Sequence, residues 1–392
     1  MLSHVLASAK GLRGVLFIQP RSRGHSVNPH SVNPHSGTRR APVLERRLQE
    51  TYDGHRIFEG MPLRAMLRKL FPQTFRPSSR PSTALLERFP LASYFPVAGM
   101  PGRPRWEELY LPLQEGYPDH HEDVWWEVGR FWVERLKQQL GPEFFLLESY
   151  DCLLLSCLPP KRAQFLLSNT ETILQRMESL LGTNALQRGS YGPHLMLCFA
   201  DSHGLHEYLV EFEDDSESMA PAAVFIPGGC GHIAMYGDDL RMLEPTLVHE
   251  LTHAMLWHLG LPLWLEEGVA QVLPQLVVHS RGIEINRDLV EEQQEVWGQD
   301  GLRGFWDGSA FRCPRRSEAA YNLGEVLVRS MLSRKGVDFQ GFLASASWRD
   351  CGQGASRECL KYELTDLVRD FLGPDVSGLQ PPSSLGASFA RS

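Results

Sequence analysis

The amino-acid sequence predicts an α+β fold, because segments of strand character alternate with segments of helical period in the middle of the chain. Residues 144–158 are apolar and rich in Cys and Leu, which predicts one or two strands, and residues 194–200 are a short apolar run typical of a buried strand. Residues 162–181 carry apolar side chains at helical spacing, and residues 203–212 form a second helix candidate. Elements in this order are expected to build layers of sheet and helix.

A hairpin is predicted to follow these elements. Residues 222–226 and 232–236 have extended character, and they flank the glycine-rich turn 227–231. We expect residues 232–236 to form an exposed edge strand directly before the next helix.

Composition and charge exclude several classes of protein. The chain has 392 residues, and its 39 Lys and Arg against 47 Asp and Glu give a net charge of −8, which argues against a nucleic-acid partner. No apolar run reaches the roughly 18 residues that a membrane-spanning helix needs. Seven cysteines form no CxxC pair, so we expect free, mostly buried thiols in a reducing compartment, and we predict a cytoplasmic protein.

The two ends of the chain differ in composition from its middle. Residues 1–44 contain six basic residues and no acid, so they are predicted to be disordered or to form a targeting segment. Residues 45–140 are predicted to be mainly helical, and residues 122–140 carry an aromatic stripe at helical spacing that is typical of core. Residues 374–392 are predicted to be a flexible tail.

One helix carries the residues that point to chemistry. Residues 244–260 have Pro245 at the predicted first helical position and Gly260 at the predicted end. His249 and His253 are four positions apart, so at helical pitch their side chains lie only about 40° apart, on one face and within reach of one ion.

Glu250 follows His249 and completes an HExxH pattern, which is the pattern of zinc peptidases. A carboxylate at that position can contact a metal-bound water without being a ligand. A catalytic zinc needs three protein ligands and one open position, so a third donor must come from elsewhere in the chain.

Three sources compete for the third ligand. The metzincin pattern is excluded, because it requires Gly and His where this chain has Leu256 and Leu259. His258 lies about 140° round the helix from His253 and is expected to point away from the metal. A carboxylate from the following helix is the remaining source.

The HExxH helix and the W-L-x-E-G-x-A segment after it, together residues 244–271, strongly resemble the gluzincin clan of thermolysin-like and aminopeptidase N-like zinc peptidases. The resemblance implies a zincin-like domain with a small mixed sheet, an upper subdomain over residues 141–260 and a helical lower subdomain over residues 261–373. It also implies that Glu267 is the third ligand of one Zn²⁺.

The same resemblance implies roles for other residues. Glu250 would be the general base, and Tyr321, at the start of a helical segment, would be the tyrosine that stabilises the oxyanion. Residues 351–373, with a helical run over 359–369, look like the closing helix of peptidase-MA-like proteins. The activity implied is zinc-dependent hydrolysis of a peptide or protein substrate.

This chain departs from the family at two points. Residues 215–240 contain no GxMEN segment, which holds the free amine of the substrate in aminopeptidase N-like enzymes, so we expect an endopeptidase. Glu266 stands where that group usually has Asn, and it adds a second carboxylate beside the predicted ligand. The alternative is a zincin-fold binding or scaffold protein with a structural or vestigial metal site. Cys230, in the turn ahead of the helix, is a less favoured metal contact.

Overall fold

A computed structural model describes most of the chain beyond its first 85 residues. The predictions for residues 1–44, and for residues 45–140 as far as position 85, lie outside the described residues, as does the end of the predicted tail. The described residues are 86–97, 102–182, 192–210, 222–237 and 239–383.

The predicted α+β class is confirmed by a five-stranded mixed sheet covered by helices. The strands are β1 (Phe145–Glu148), β2 (Cys152–Ser156), β3 (His194–Phe199), β4 (Ala223–Ile226) and β5 (His232–Tyr236). The α-helices of four or more residues in the described part of the chain are α1 (Trp106–Gly116), α2 (His121–Leu140), α3 (Pro160–Leu181), α4 (Ser202–Leu209), α5 (Leu240–Leu256), α6 (Leu263–Val277), α7 (Arg287–Asp300), α8 (Arg303–Trp306), α9 (Ser317–Ser333), α10 (Phe339–Ser345) and α11 (Leu364–Leu372).

The sheet has the strand order β1-β2-β3-β5-β4. Strands β2, β3 and β5 run parallel, and the two outer strands, β1 and β4, pair antiparallel with their neighbours. Helix α3 makes the crossover between the parallel strands β2 and β3, as expected for a parallel connection.

Alternate residues of each strand point to opposite faces, so the sheet separates two apolar cores. One core includes Leu154, Met196 and Met235 of the sheet and helices α3, α5, α6 and α9. The other includes Leu155 and Leu197 and helices α1, α2 and α4. The aromatic stripe of α2 belongs to this second core, as the sequence predicts: its members Trp125, Val128, Trp132 and Leu136 are buried.

The prediction that residues 232–236 form an edge strand is wrong. β5 pairs with β3 on one side and β4 on the other, so it is internal, and β4 occupies the edge of the sheet. The hairpin itself is present: β5 has the predicted bounds, and β4 begins at Ala223, one residue after its predicted start. The error has a physical reason: both strands are almost wholly buried, so neither shows the polar alternation that would mark an edge.

Several predicted helix bounds also differ from the structure. The helix predicted over residues 203–212, for example, spans Ser202–Leu209. Helix α5 begins at Leu240, one turn before Pro245, which therefore lies inside the helix. The helical run predicted over residues 359–369 is interrupted, because Lys361 adopts a left-handed conformation (φ 65°) and α11 begins only at Leu364. The amide of Leu364 there donates to Gln353 Oε1, a partner that only the folded chain brings near.

The predicted free thiols are confirmed: all seven cysteines are unpaired with one another, and four are buried. Among the described helices, none is both long and apolar enough to cross a bilayer.

Candidate metal centre

Helices α5 and α6 meet through a short reversal of the chain. After α5, a 3₁₀ turn over Trp257–Leu259 ends at Gly260, whose φ of 60° is a left-handed conformation that glycine adopts without strain. Pro262 then stands immediately before α6, where its fixed φ suits a helix start. This reversal brings the first turns of α6 beside the end of α5.

The structure brings His249, His253 and Glu267 together. His249 Nε2 lies 3.2 Å from His253 Nε2, and Glu267 Oε2 lies 3.7 Å from the first nitrogen and 3.5 Å from the second. The two histidines come from successive turns of α5, and the glutamate comes from α6. All three atoms lie around a common centre, as the donor atoms around a single ion do.

The spacing of these three atoms fits zinc. They lie on a circle of radius about 2.0 Å, so one point is about that distance from all three atoms, which matches the roughly 2.0–2.2 Å that zinc keeps from imidazole nitrogen and carboxylate oxygen. Two imidazoles and one carboxylate also form a donor set typical of catalytic zinc sites.

Burial supports the same interpretation. The three side chains are each 9% exposed or less, and among the described residues no hydrogen-bond donor satisfies Glu267 Oε2. A buried carboxylate oxygen without a donor is costly, and a cation at the centre of the triangle would remove that cost.

The two histidines have opposite electrostatic environments. Burial lowers the pKa of His249 well below its usual value, the neighbouring His253 lowers it further, and a backbone hydrogen bond with Ala270 acts in the opposite direction. Burial also acts to lower the pKa of His253, but Glu267 and Glu266 outweigh it and hold that pKa well above its usual range. The negative charges of Glu266 and Glu267 therefore act mainly on the ring of His253.

Glu250 is held by the edge of the sheet. Its Oε2 accepts a hydrogen bond of 2.7 Å from the backbone N–H of Phe225 in β4. Burial raises the pKa of Glu250 to about 7 and the charge of Glu267 raises it too, whereas His253 and the Phe225 N–H lower it. The hydrogen bond thus fixes the orientation of the Glu250 carboxylate, which lies close enough to His253 and Glu267 for their charges to shift its pKa.

Tyr321 lies in the first turns of α9, within electrostatic reach of the same group. Its ring packs edge-on against Phe311, with ring centroids 5.2 Å apart. Burial raises the pKa of Tyr321, and the charges of Glu267 and Glu250 raise it further.

A close helix crossing explains how α9 comes so near to α6. A Cβ atom built on Gly268 would lie 2.6 Å from the carbonyl oxygen of Gly324, so only glycine fits at this contact. Gly268 follows Glu267 directly, and Gly324 lies about one helical turn after Tyr321. The crossing therefore places the turn that carries Tyr321 against the turn that carries Glu267.

Two contacts of the site are not readable from the sequence. The Phe225 N–H is a backbone group, so no side chain announces that it holds Glu250. Glu266 is visible as a second acid, but only the structure shows that its Oε1 lies 3.1 Å from His253 Nδ1 rather than within the metal group.

The other potential metal contacts lie elsewhere. His258 is not a member of the group, as its helical position predicts. Cys230 belongs to the core on the opposite face of the sheet, with its Sγ 4.0 Å from the carbonyl of Trp125. Its position gives no support to a thiolate contact with the metal.

Comparison with known proteins finds no family model that matches the chain and no curated protein that matches it. A buried His–His–Glu group that could hold one metal ion is what the geometry establishes.

We predict that the purified protein binds close to one zinc ion and that His253→Ala loses most of it, because two remaining donors hold the ion poorly. Glu267→Gln should lose metal to a similar degree. Metal content by mass spectrometry and folding by circular dichroism check this prediction. Equal zinc content in wild type and in the folded His253→Ala variant would contradict the ligand assignment.

Proposed function

We propose that this chain is a zinc-dependent peptidase of the gluzincin type, with His249, His253 and Glu267 as ligands and Glu250 as general base. The observation that supports this most is the pairing of a three-donor group with a fixed carboxylate beside it. Residues 141–260 and 261–373 would be the two subdomains, with two of the ligands in the first and the third ligand in the second.

The number of donors favours catalysis over a purely structural role. Structural zinc sites are closed by four protein ligands, whereas catalytic sites have three and leave one position for water or substrate. The group here has three members among the described residues, and Glu266 contacts the other nitrogen of His253, so it does not supply a fourth.

Glu250 has the central role in the proposed mechanism. A zinc ion, when bound, supplies Lewis-acid polarisation of water and of the substrate carbonyl. Because Glu250 Oε2 is engaged by the Phe225 N–H, we assign Oε1 to accept the proton of the attacking water. The same oxygen would then deliver that proton to the nitrogen of the leaving amine.

Tyr321 would stabilise the negative charge that develops on the carbonyl oxygen. Its pKa is raised, so its hydroxyl keeps its proton at neutral pH and can donate a hydrogen bond. The proximity of its hydroxyl to the charges of Glu267 and Glu250 supports this assignment.

The outer edge of β4 is where we propose that substrate binds. Its Phe225 N–H points away from β5, towards Glu250, so this edge borders the metal group. An extended peptide that added to this edge would present its backbone to Glu250. No amine-binding GxMEN segment occurs in residues 215–240, which supports cleavage of internal bonds.

A second candidate is a zincin-fold binding or scaffold protein in which the metal is structural. The observation that favours it is burial: His249, Glu250 and Glu267 are 1%, 4% and 1% exposed. A structural site needs no general base, so substitution of Glu250 separates the two candidates.

We predict that Glu250→Gln keeps its fold and its zinc but loses peptide hydrolysis by several orders of magnitude, because the amide cannot accept the proton of water. Cleavage of an unstructured protein, measured alongside zinc content, checks this. Glu244→Gln is the matched control: Glu244 lies on the same helix but bonds to Asn169, so activity should persist. Hydrolysis undiminished in Glu250→Gln would contradict the mechanism, and absence of hydrolysis in zinc-loaded wild type would favour the structural candidate.

We predict a smaller loss, roughly 10- to 1000-fold in kcat, for Tyr321→Phe, because one oxyanion donor is removed while the zinc ligands remain. Tyr362→Phe is the control, since the Tyr362 hydroxyl has no hydrogen-bond partner among the described residues. Steady-state kinetics on a fluorogenic peptide checks the pair. Equal kcat values for Tyr321→Phe and wild type would leave Tyr321 as a packing residue only.

We predict that an N-terminally acetylated peptide and its free-amine twin are cleaved at the same internal bonds and at similar rates. Recognition through the backbone of β4 does not use the terminal amine. Mass spectrometry of the products identifies the bonds. Release of single N-terminal residues, abolished by acetylation, would instead indicate an aminopeptidase.

A further inference from the structure

Glu266 lies against the metal group without belonging to it. Its Oε1 is 3.1 Å from His253 Nδ1, whereas the other ring nitrogen, Nε2, faces His249 and Glu267. The Glu266 and His253 side chains are 5% and 9% exposed. This contact is therefore a buried hydrogen bond between an imidazole and a carboxylate.

Helix α6 contacts both nitrogens of the same ring. Glu266 and Glu267 are consecutive residues, and consecutive side chains of a helix point about 100° apart. One carboxylate reaches Nδ1 and the other reaches the neighbourhood of Nε2, so the ring of His253 is held between them.

A carboxylate at Nδ1 has two separable effects on a metal-binding histidine. It accepts the Nδ1–H, which fixes the tautomer and leaves the Nε2 lone pair for the ion. Its negative charge also makes Nε2 more basic, and therefore a stronger donor. A neutral amide oxygen in the same place would accept the hydrogen bond but would lack the charge.

We propose that Glu266 is a positioning residue whose negative charge, acting through His253, strengthens zinc binding by the His249–His253–Glu267 group. The inference rests on the proposed function in that it takes zinc as the ion of this site. Burial makes the charge effective, because little water is present between Glu266 and His253 to screen it.

The test is a series of variants that separates charge from hydrogen bonding. Glu266→Gln keeps an acceptor and removes the charge, and Glu266→Ala removes both. Glu325→Gln is the control: Glu325 is also a buried acid, but its Oε1 bonds to Gln275, Arg329 and the Ile283 N–H, away from the histidines. Zinc affinity is measured by competition with a fluorescent chelator, and the thermal midpoint is measured with and without zinc.

We expect the zinc dissociation constant to rise about 10-fold in Glu266→Gln and about 100-fold in Glu266→Ala, which is the range for loss of such outer contacts. The zinc-induced rise in thermal midpoint should shrink in the same order. Glu325→Gln should lower the midpoint with and without zinc alike and leave the zinc affinity unchanged.

Three results would overturn the inference. Wild-type affinity in Glu266→Gln would show that the charge is not used, and wild-type affinity in Glu266→Ala would show that neither effect operates. An equal loss in Glu325→Gln would show that the change is a general consequence of destabilisation. In each of these cases wild type still binds zinc, so the proposed function stands. If wild type bound no zinc, the inference about Glu266 and the proposed function would both fail.

Discussion

The structure around the metal group depends on one constraint: five ionisable side chains are buried around one point. All five residues, His249, Glu250, His253, Glu266 and Glu267, are buried, with at most 7% of the whole residue exposed. Buried charges destabilise a fold unless they are paired or bound to a cation. The Phe225 N–H on Glu250 and the two carboxylates around His253 each offset part of that cost, and a metal ion held by His249, His253 and Glu267 would offset more of it.

The surrounding architecture holds these groups at fixed distances. The helical period aligns His249 with His253, and the left-handed Gly260 turns the chain so that α6 returns beside α5. The contact between Gly268 and Gly324 then brings α9 against α6. Two of these three devices depend on glycine at a position where a Cβ atom would strain the backbone or collide with it. The geometry of the site thus depends on close backbone approach as much as on its ionisable side chains.

The sequence predicts this site better than it predicts the sheet beside it. The spacing alone predicts His249, Glu250 and His253 as site residues. Glu267 could be predicted only from the family resemblance, because the chain reversal that brings it beside α5 depends on tertiary packing. The order of β4 and β5 could not be predicted, since both strands are buried and either could have joined β3. The start of α5 at Leu240 was also not predicted from the sequence. Pro245 fits a first helical position by propensity, but in the structure one more helical turn precedes it. Contacts made by backbone groups, such as the Phe225 N–H, leave no signal in side-chain patterns.

In the proposed site, two imidazoles and one carboxylate hold one zinc ion and leave a position for water. X-ray absorption at the zinc edge of the purified full-length protein tests it most directly. Such a site should give a coordination shell of about four nitrogen or oxygen atoms at roughly 2.0–2.1 Å, with outer-shell scattering from two imidazole rings and no sulfur. A sulfur shell near roughly 2.3 Å, or scattering from more than two imidazoles, would contradict it, because the ion would then lie in a different set of ligands.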